Sequence, residues 1–285
     1  MNTPTTDTPA SLAILGPGRL GSALATLARQ AGILNVFIGA RTPREGELSL
    51  ADAAGSADLV LLTVSDDAIE SVCTALAEAG AFRPGAIVAH CSGVHGSELL
   101  TAAKAQGCNV ASFHPLQTFP SAEAAVERFP GAYCFCEGDD TATTALAGLA
   151  STLGGIPAVF PAGGKALYHA AAVMASNYVA AIADAAIDTA AQAGIDPATA
   201  QAALGVLLTT AAANAAELGP AEALTGPIAR GDVGTVKKHL AAMADCEENL
   251  RLLYCAAGMR TVDLAVRKGT LDTDTADTLR RCLKN

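Results

Sequence analysis

The sequence is poor in charge, and poorest in positive charge. Only 16% of its 285 residues are charged, and 18 Lys and Arg stand against 28 Asp and Glu, a formal net charge of -10. A polyanion is bound where a basic surface neutralises its phosphates. The cations here are few and scattered, so nucleic acid is not expected as a partner. The opening MNTPTTDTPA has no basic region followed by an apolar run, so no export signal is expected, and residues 1–10 read as a disordered tail. No long apolar run is free of polar residues. The most apolar one, residues 170–187, is interrupted by Asn177 and Asp184, which a bilayer core would penalise, and it reads as a buried helix rather than a membrane span. The eight cysteines lack both CxxC and Cys-His zinc spacing. They read as small buried hydrophobes in a reducing compartment, with Cys134 and Cys136 on one strand face. A cytoplasmic protein without membrane or metal is expected.

What is present is apolar and alternating. Hydrophobic residues make up 51% of the chain and Ala dominates its second half, as in compact, helix-rich packing. Short apolar runs at residues 11–15, 36–40, 58–64, 86–89 and 110–113 are separated by helical patterns, and further strands are expected at 133–136 and 158–160. Strands alternating with helices imply parallel crossovers and a doubly wound α/β sheet. After Gly163-Gly164 the pattern changes to Ala-rich helix, broken near Gly194–Pro197, Gly219-Pro220, Gly226-Pro227 and Lys268-Gly269. The expected domains are a Rossmann domain, 11–163, and an all-helical domain, 164–285.

The unusual residues cluster in the loops that follow strands, the edge at which open α/β sheets bind ligands. Gly16-Pro17-Gly18-Arg19-Leu20-Gly21 follows the first strand and opens a helix. A diphosphate needs close backbone and free N–H groups, and this turn supplies both. At the end of the second strand, NAD would call for a carboxylate and NADP for an arginine. Arg41 stands there, followed by Thr42 and Arg44, and favours NADP over NAD. Val64 and Ser65, ending the third strand, complete the expected cofactor contacts.

The proton that accompanies hydride transfer needs a donor near neutral pH, which makes the histidines candidates. His114 ends a strand at the ligand edge, within Phe113-His114-Pro115-Leu116, where Pro115 keeps it extended. His90 and Cys91 point to opposite faces of their strand, so they do not form a catalytic pair. In the helix that opens with Lys165, the positions of Lys165, His169 and Ser176 fall within about 40° of one another on an otherwise apolar surface. This stripe calls for a polar partner, and a cleft against the cofactor is the favoured one. Thr225 and Asp232 are placed to cap helices. Arg230 is suited to hold a substrate carboxylate.

Together, Gly16 to Gly21, His90-Cys91-Ser92-Gly93, Phe113 to Phe119, Leu167-Tyr168-His169-Ala170-Ala171, Ser176-Asn177-Tyr178 and Leu224 to Asp232 resemble bacterial oxidoreductases that pair a Rossmann-like domain with an uncharacterised helical domain. More distantly, the chain is similar to the 6-phosphogluconate dehydrogenase C-terminal-like superfamily, which includes pyrroline-5-carboxylate reductases, ketopantoate reductases, β-hydroxyacid dehydrogenases and prephenate dehydrogenases. The resemblance implies dimerisation through the helical domain. Lys165 matches the lysine of the β-hydroxyacid and ketopantoate enzymes, but His169 stands where they have asparagine. His114-Pro115 matches the His-Pro pair of prephenate dehydrogenases.

The expectation is an NADP-dependent oxidoreductase acting on a small carbonyl or imine that bears a carboxylate. His114, Lys165 and His169 are assigned to catalysis and His90, Ser92, Asn177 and Arg230 to the substrate. Two alternatives are a non-enzymatic NADP sensor acting through the helical domain, and a metal site formed by His90, His114 and His169.

Overall fold

A computed structural model describes residues 9–161 and 163–284. Most of the expected tail, residues 1–8, lies outside them. The chain divides into two compact units, Met1–Ser176 and Asn177–Asn285. The first runs thirteen residues past Gly163, where composition alone puts the boundary.

In the first unit, β1 (Ser11–Leu15) is followed by α1 (Arg19–Gln30), β2 (Asn35–Ala40), β3 (Leu48–Ser49), α2 (Leu50–Gly55), β4 (Leu59–Leu62) and α3 (Ile69–Glu78). Then come β5 (Ile87–His90), α4 (Thr101–Ala105), β6 (Asn109–Pro115), α5 (Ala122–Arg128), β7 (Tyr133–Gly138), α6 (Asp140–Thr152), β8 (Ile156–Val159) and α7 (Lys165–Ala175). Every residue of β1 and β4 is buried, because helices cover both faces of a central parallel strand. Helix α1 turns Ala23, Leu24, Leu27 and Ala28 inward and leaves Arg19, Thr26 and Arg29 exposed, the pattern of a helix lying on one sheet face.

The eight strands run in the order β3-β2-β1-β4-β5-β6-β7-β8, all neighbours parallel except β6 and β7. The doubly wound, mostly parallel sheet is as expected. The chain leaves β1 toward β2 on one side and returns to β4 on the other, so the carboxyl ends of β1 and β4 flank the switch point where such sheets bind ligands. Strand β3 and helices α2 and α5 are additions to the expected elements; all three are seven residues or shorter. Too few turns are present for a clear period.

The reversal at β7 matters for the site. Register partners share a face, so Ser112 and His114 of β6 lie opposite Glu137 and Phe135 of β7 on one side of the sheet. Cys134 and Cys136 take the other side and are buried there with Phe113, as their spacing predicts.

The second unit is helical: α8 (Asn177–Gln192), α9 (Pro197–Leu218), α10 (Pro220–Ala223), α11 (Val233–Ala242), α12 (Glu248–Lys268) and α13 (Thr273–Lys284). Its core joins Ile228, Val236, Val262, Ala265, Leu271, Leu279 and Leu283. Asp196 and Asp232 begin α9 and α11, each accepting the amide N–H three residues on, from Thr199 and Thr235. Asp272, just before α13, accepts the Thr275 amide in the same way. Asp232, not Thr225, therefore caps α11.

The apolar run 170–187 departs from expectation. By length and composition alone, Lys165–Gln192 is able to cross a membrane. It is broken at Ser176 into α7 and α8, and Lys165 at its start is buried within the first unit. Yet no residue of α8 is buried, which corrects the reading of a buried helix. Ile182 of α8 is 46% exposed and Val206 and Leu207 of α9 are 71% and 64% exposed. Spacing shows that a helix face is apolar, and leaves open whether its own chain covers that face.

Candidate active site

The glycine turn after β1 has the geometry that its residues promise. Gly16 takes a positive φ of 108°, and its N–H bonds Gly39 O at the end of β2. A Cβ at Gly21 would stand 2.2 Å from Gly16 O and 2.5 Å from Thr63 Oγ1, so only glycine fits there. At Gly18, by contrast, a Cβ would meet nothing within 4 Å, and its exposed side opens outward. Gly18 begins α1, whose first turn contains no acidic residue and receives no bond from the Gly18 side. The amides of Arg19, Leu20 and Gly21 thus form an electropositive helix end with space in front of it.

Thr63, unforeseen from the sequence, holds this turn from β4's side: its hydroxyl donates to Gly16 O at 2.7 Å and approaches Leu15 O at 3.2 Å. Val64 lies against Gly16, and Ser65 is exposed beside it. Arg41, Thr42 and Arg44 are exposed just beyond β2. Glu45 and Glu47 follow in the same loop; the Glu47 carboxylate accepts the Arg44 amide at 2.9 Å and helps shape it. The turn, the helix end and the exposed arginines suit a dinucleotide carrying a further phosphate.

A second group forms at the ends of β5 and β6. Lys165, the first residue of α7, is only 6% exposed. Its Nζ donates to Ser92 O at 3.0 Å and to Ser112 Oγ at 2.8 Å, leaving one N–H without a partner among the described residues. Burial pulls the pKa of this amine down from its ordinary value, and the nearby Glu137 carboxylate opposes the pull. Ser112 in turn donates to Glu137 Oε2 at 3.2 Å, and Glu137 is fixed by the Ser97 amide and hydroxyl at 2.9 and 2.8 Å.

His114 stands two residues beyond Ser112 on the same face. Its Nδ1 meets the Tyr168 hydroxyl at 2.7 Å. Burial lowers its pKa first, the Lys165 charge adds to this, and the value falls to about 4. At neutral pH the ring is uncharged and serves as an acceptor or a proton relay. Tyr168 is held by Phe135 and Phe160, with ring centroids 5.0 and 5.1 Å away, and burial pushes its hydroxyl up to about 12. The His169 ring lies 6.3 Å from that of His114. Gly93 fits beside both rings: a Cβ there would come within 2.6 Å of His169 Cδ2 and 2.8 Å of His114 Nε2.

Two assignments change. His90 is fully buried, its Nε2 donates to Gly96 O at 2.8 Å and its Nδ1 accepts the Ser92 amide at 3.2 Å. Both nitrogens are used inside the loop, so His90 builds the site rather than touching a substrate. The same engagement leaves His90 no nitrogen for a metal, and among the described residues no group of three or more His, Cys, Asp or Glu could hold one. Ser92 is 4% exposed and its hydroxyl accepts the Val94 and His95 amides, closing the turn. The Ser176 hydroxyl donates back to Ala172 O at 2.6 Å. Asn177 and Arg230 belong to the second unit, and the Arg230 side chain is exposed.

The family matches do not follow the two compact units. Residues 2–115 match the profile of a Rossmann-like domain, and residues 132–261 match that of a domain of unknown function (DUF2520). The two matches cover separate stretches of the chain, and the second begins inside the sheet, just before β7. Among solved structures it is similar to a protein of Bacteroides fragilis assigned as an NADP oxidoreductase, with 21% identity and a TM-score of 0.69 over 92% of this chain and 100% of that one. The protein TM1727 of Thermotoga maritima gives 23% identity and a TM-score of 0.68 over 90% and 99% of the two chains. A reductive aminase of Aspergillus terreus, in complex with NADPH and ethyl levulinate, gives 19% and 0.64 over 96% and 99%. At these identities the likeness establishes a shared fold. Among curated proteins there is no match.

Proposed function

We propose that the protein is an NADP-dependent oxidoreductase that reduces a small carbonyl or imine, or runs the reverse oxidation. The observation that carries this reading is the uncapped α1 terminus, with Gly21 packed too closely for any other residue and the side of Gly18 open. Gly16, Gly18 and the amides of Arg19, Leu20 and Gly21 would hold the diphosphate, and Arg41, Thr42 and Arg44 the ribose phosphate. Val64 and Ser65 would line the far side. The similarity to an NADPH-bound reductive aminase supports the same cofactor.

When bound, the nicotinamide supplies or accepts the hydride. The chain's own part is to place the substrate and manage one proton. Lys165 has an uncommitted N–H, suited to polarise the substrate oxygen or nitrogen. The Tyr168–His114 pair can relay a proton through a ring that is neutral at pH 7, and His169 borders it. Asn177 and Arg230 are assigned to the substrate on sequence grounds alone. The exposed apolar faces of α8 and α9 fit a homodimer formed through the helical unit.

Incubation with NADPH and a panel of small keto acids, aldehydes and imines, followed by nicotinamide absorbance, tests the reading. Turnover lost in Lys165→Met is expected. Tight NADPH binding with no turnover across the panel would favour the nucleotide-sensing alternative.

A further inference from the structure

Lys165 is a buried amine whose hydrogen bonds run to a carbonyl and a hydroxyl, neither of them charged. An ammonium buried without a counter-charge gives up its proton, because a low-dielectric environment disfavours the charged form. The groups around it include Glu137, Glu98, Cys91 and Cys136, with the imidazoles of His90 and His114 also within electrostatic reach, and the exposed Asp66 carboxylate acts on both imidazoles and on Cys91. Burial pushes both thiols up, Cys136 to about 12, so they bring no charge at neutral pH. Burial pulls both imidazoles down, so they bring none either. Glu98 is exposed, and one of its oxygens is taken by the Gly96 amide.

Glu137 differs from Glu98 in being fixed and shielded. It lies opposite Ser112 in the β6–β7 register. Ser97 grips its two oxygens with an amide and a hydroxyl. Ser112, fully buried, donates to it and accepts from Lys165. The carboxylate and the amine thus communicate through one hydroxyl.

We propose that Glu137 is a positioning residue for Lys165: through Ser112 it supplies the negative charge that holds the ammonium and fixes its bond to the Ser112 hydroxyl, which with the separate bond to Ser92 O leaves the third N–H to be offered to a substrate atom. The tether deepens the functional reading above, which assigns Lys165 to the substrate.

The test uses the full chain labelled with 13C and 15N in lysine, with the Lys165 ammonium resonance assigned by its loss in Lys165→Met. In Glu137→Gln the Lys165 titration is expected to move down by about one pH unit or more, the size usual for losing an opposite charge within a few ångströms, and in Ser112→Ala it is expected to move down as well, because the bonded hydroxyl is lost. Glu137→Asp is expected to restore part of the shift. Should Glu137→Gln lose its near-ultraviolet circular dichroism, Glu137→Asp decides, because it keeps the carboxylate and withdraws it from Ser112. A Lys165 titration unchanged in a folded Ser112→Ala protein overturns the proposal. Neither nucleotide nor substrate enters the measurement. Failure to bind NADPH would defeat the functional reading and leave the tether standing, and an unmoved titration would do the reverse.

Discussion

Substituting Gly93 by alanine probes the geometry of the site without removing a functional group. The new methyl would lie 2.6 Å from His169 Cδ2 and 2.8 Å from His114 Nε2. Carbon contacts are favourable at about 3.5 to 4.0 Å, so the rings must give by about half an ångström or more. His114 can retreat least, because its strand is paired to β7 and its Nδ1 is bonded to a tyrosine packed between two phenylalanines. His169, on the helix, would move instead. Overpacking of this kind costs about 1 to 3 kcal/mol, readable as a lowered urea midpoint. A misplacement near 1 Å can cost about a hundredfold in rate, so kcat is expected to fall by roughly ten- to a hundredfold while the NADPH dissociation constant stays within about twofold. A Gly93→Ala enzyme with unaltered kcat would refute the assignment of these rings to the reacting centre.

Thr63→Val keeps the shape of the side chain and removes one of the two bonds to Gly16 O, the Gly18 amide keeping the other; losing one hydrogen bond costs about 0.5 to 1.5 kcal/mol, and calorimetry should find NADPH bound about two- to tenfold more weakly. Arg41→Ala should weaken NADPH by roughly ten- to a hundredfold, the size of a charge-assisted bond, and leave NADH nearly unchanged in the same titration. Because the folded-state pKa of His114 is about 4, below the ordinary 6.5, the unfolded chain takes up the proton first. Stability is therefore full above about pH 6.5 and is lost as pH falls toward 4, by at most roughly 3 kcal/mol from this ring, less in proportion to its exposure. Buried His90 acts in the same direction. Urea titrations across that window should show a flatter slope in His114→Asn. Paired Val206→Asp and Leu207→Asp changes on exposed α9 positions should convert a dimer into a monomer by light scattering without unfolding it.

The parts of this molecule that were legible in the sequence are those whose chemistry is local. The Gly16–Gly21 turn is legible because strand, glycines and helix adjoin in the chain, and Lys165 and His114 because each stands at the end of a helix or strand. Thr63, Ser112 and Glu137 were missed because their roles depend on neighbours in other strands. Ser112 had one available signal, its position two residues before His114 and so on the same face. Glu137 had none until the antiparallel register of β7 put it opposite Ser112. His90 shows the converse error. A histidine at a strand end looks available, and only the loop's return to Gly96 reveals that both nitrogens are spent.

Calorimetric titration of the purified chain with NADPH, and with NADH beside it, bears most directly on the nucleotide cradle. Saturable heat at one site per chain, with NADPH the tighter ligand and the preference abolished in Arg41→Ala, is the predicted outcome. No heat with either nucleotide would contradict it.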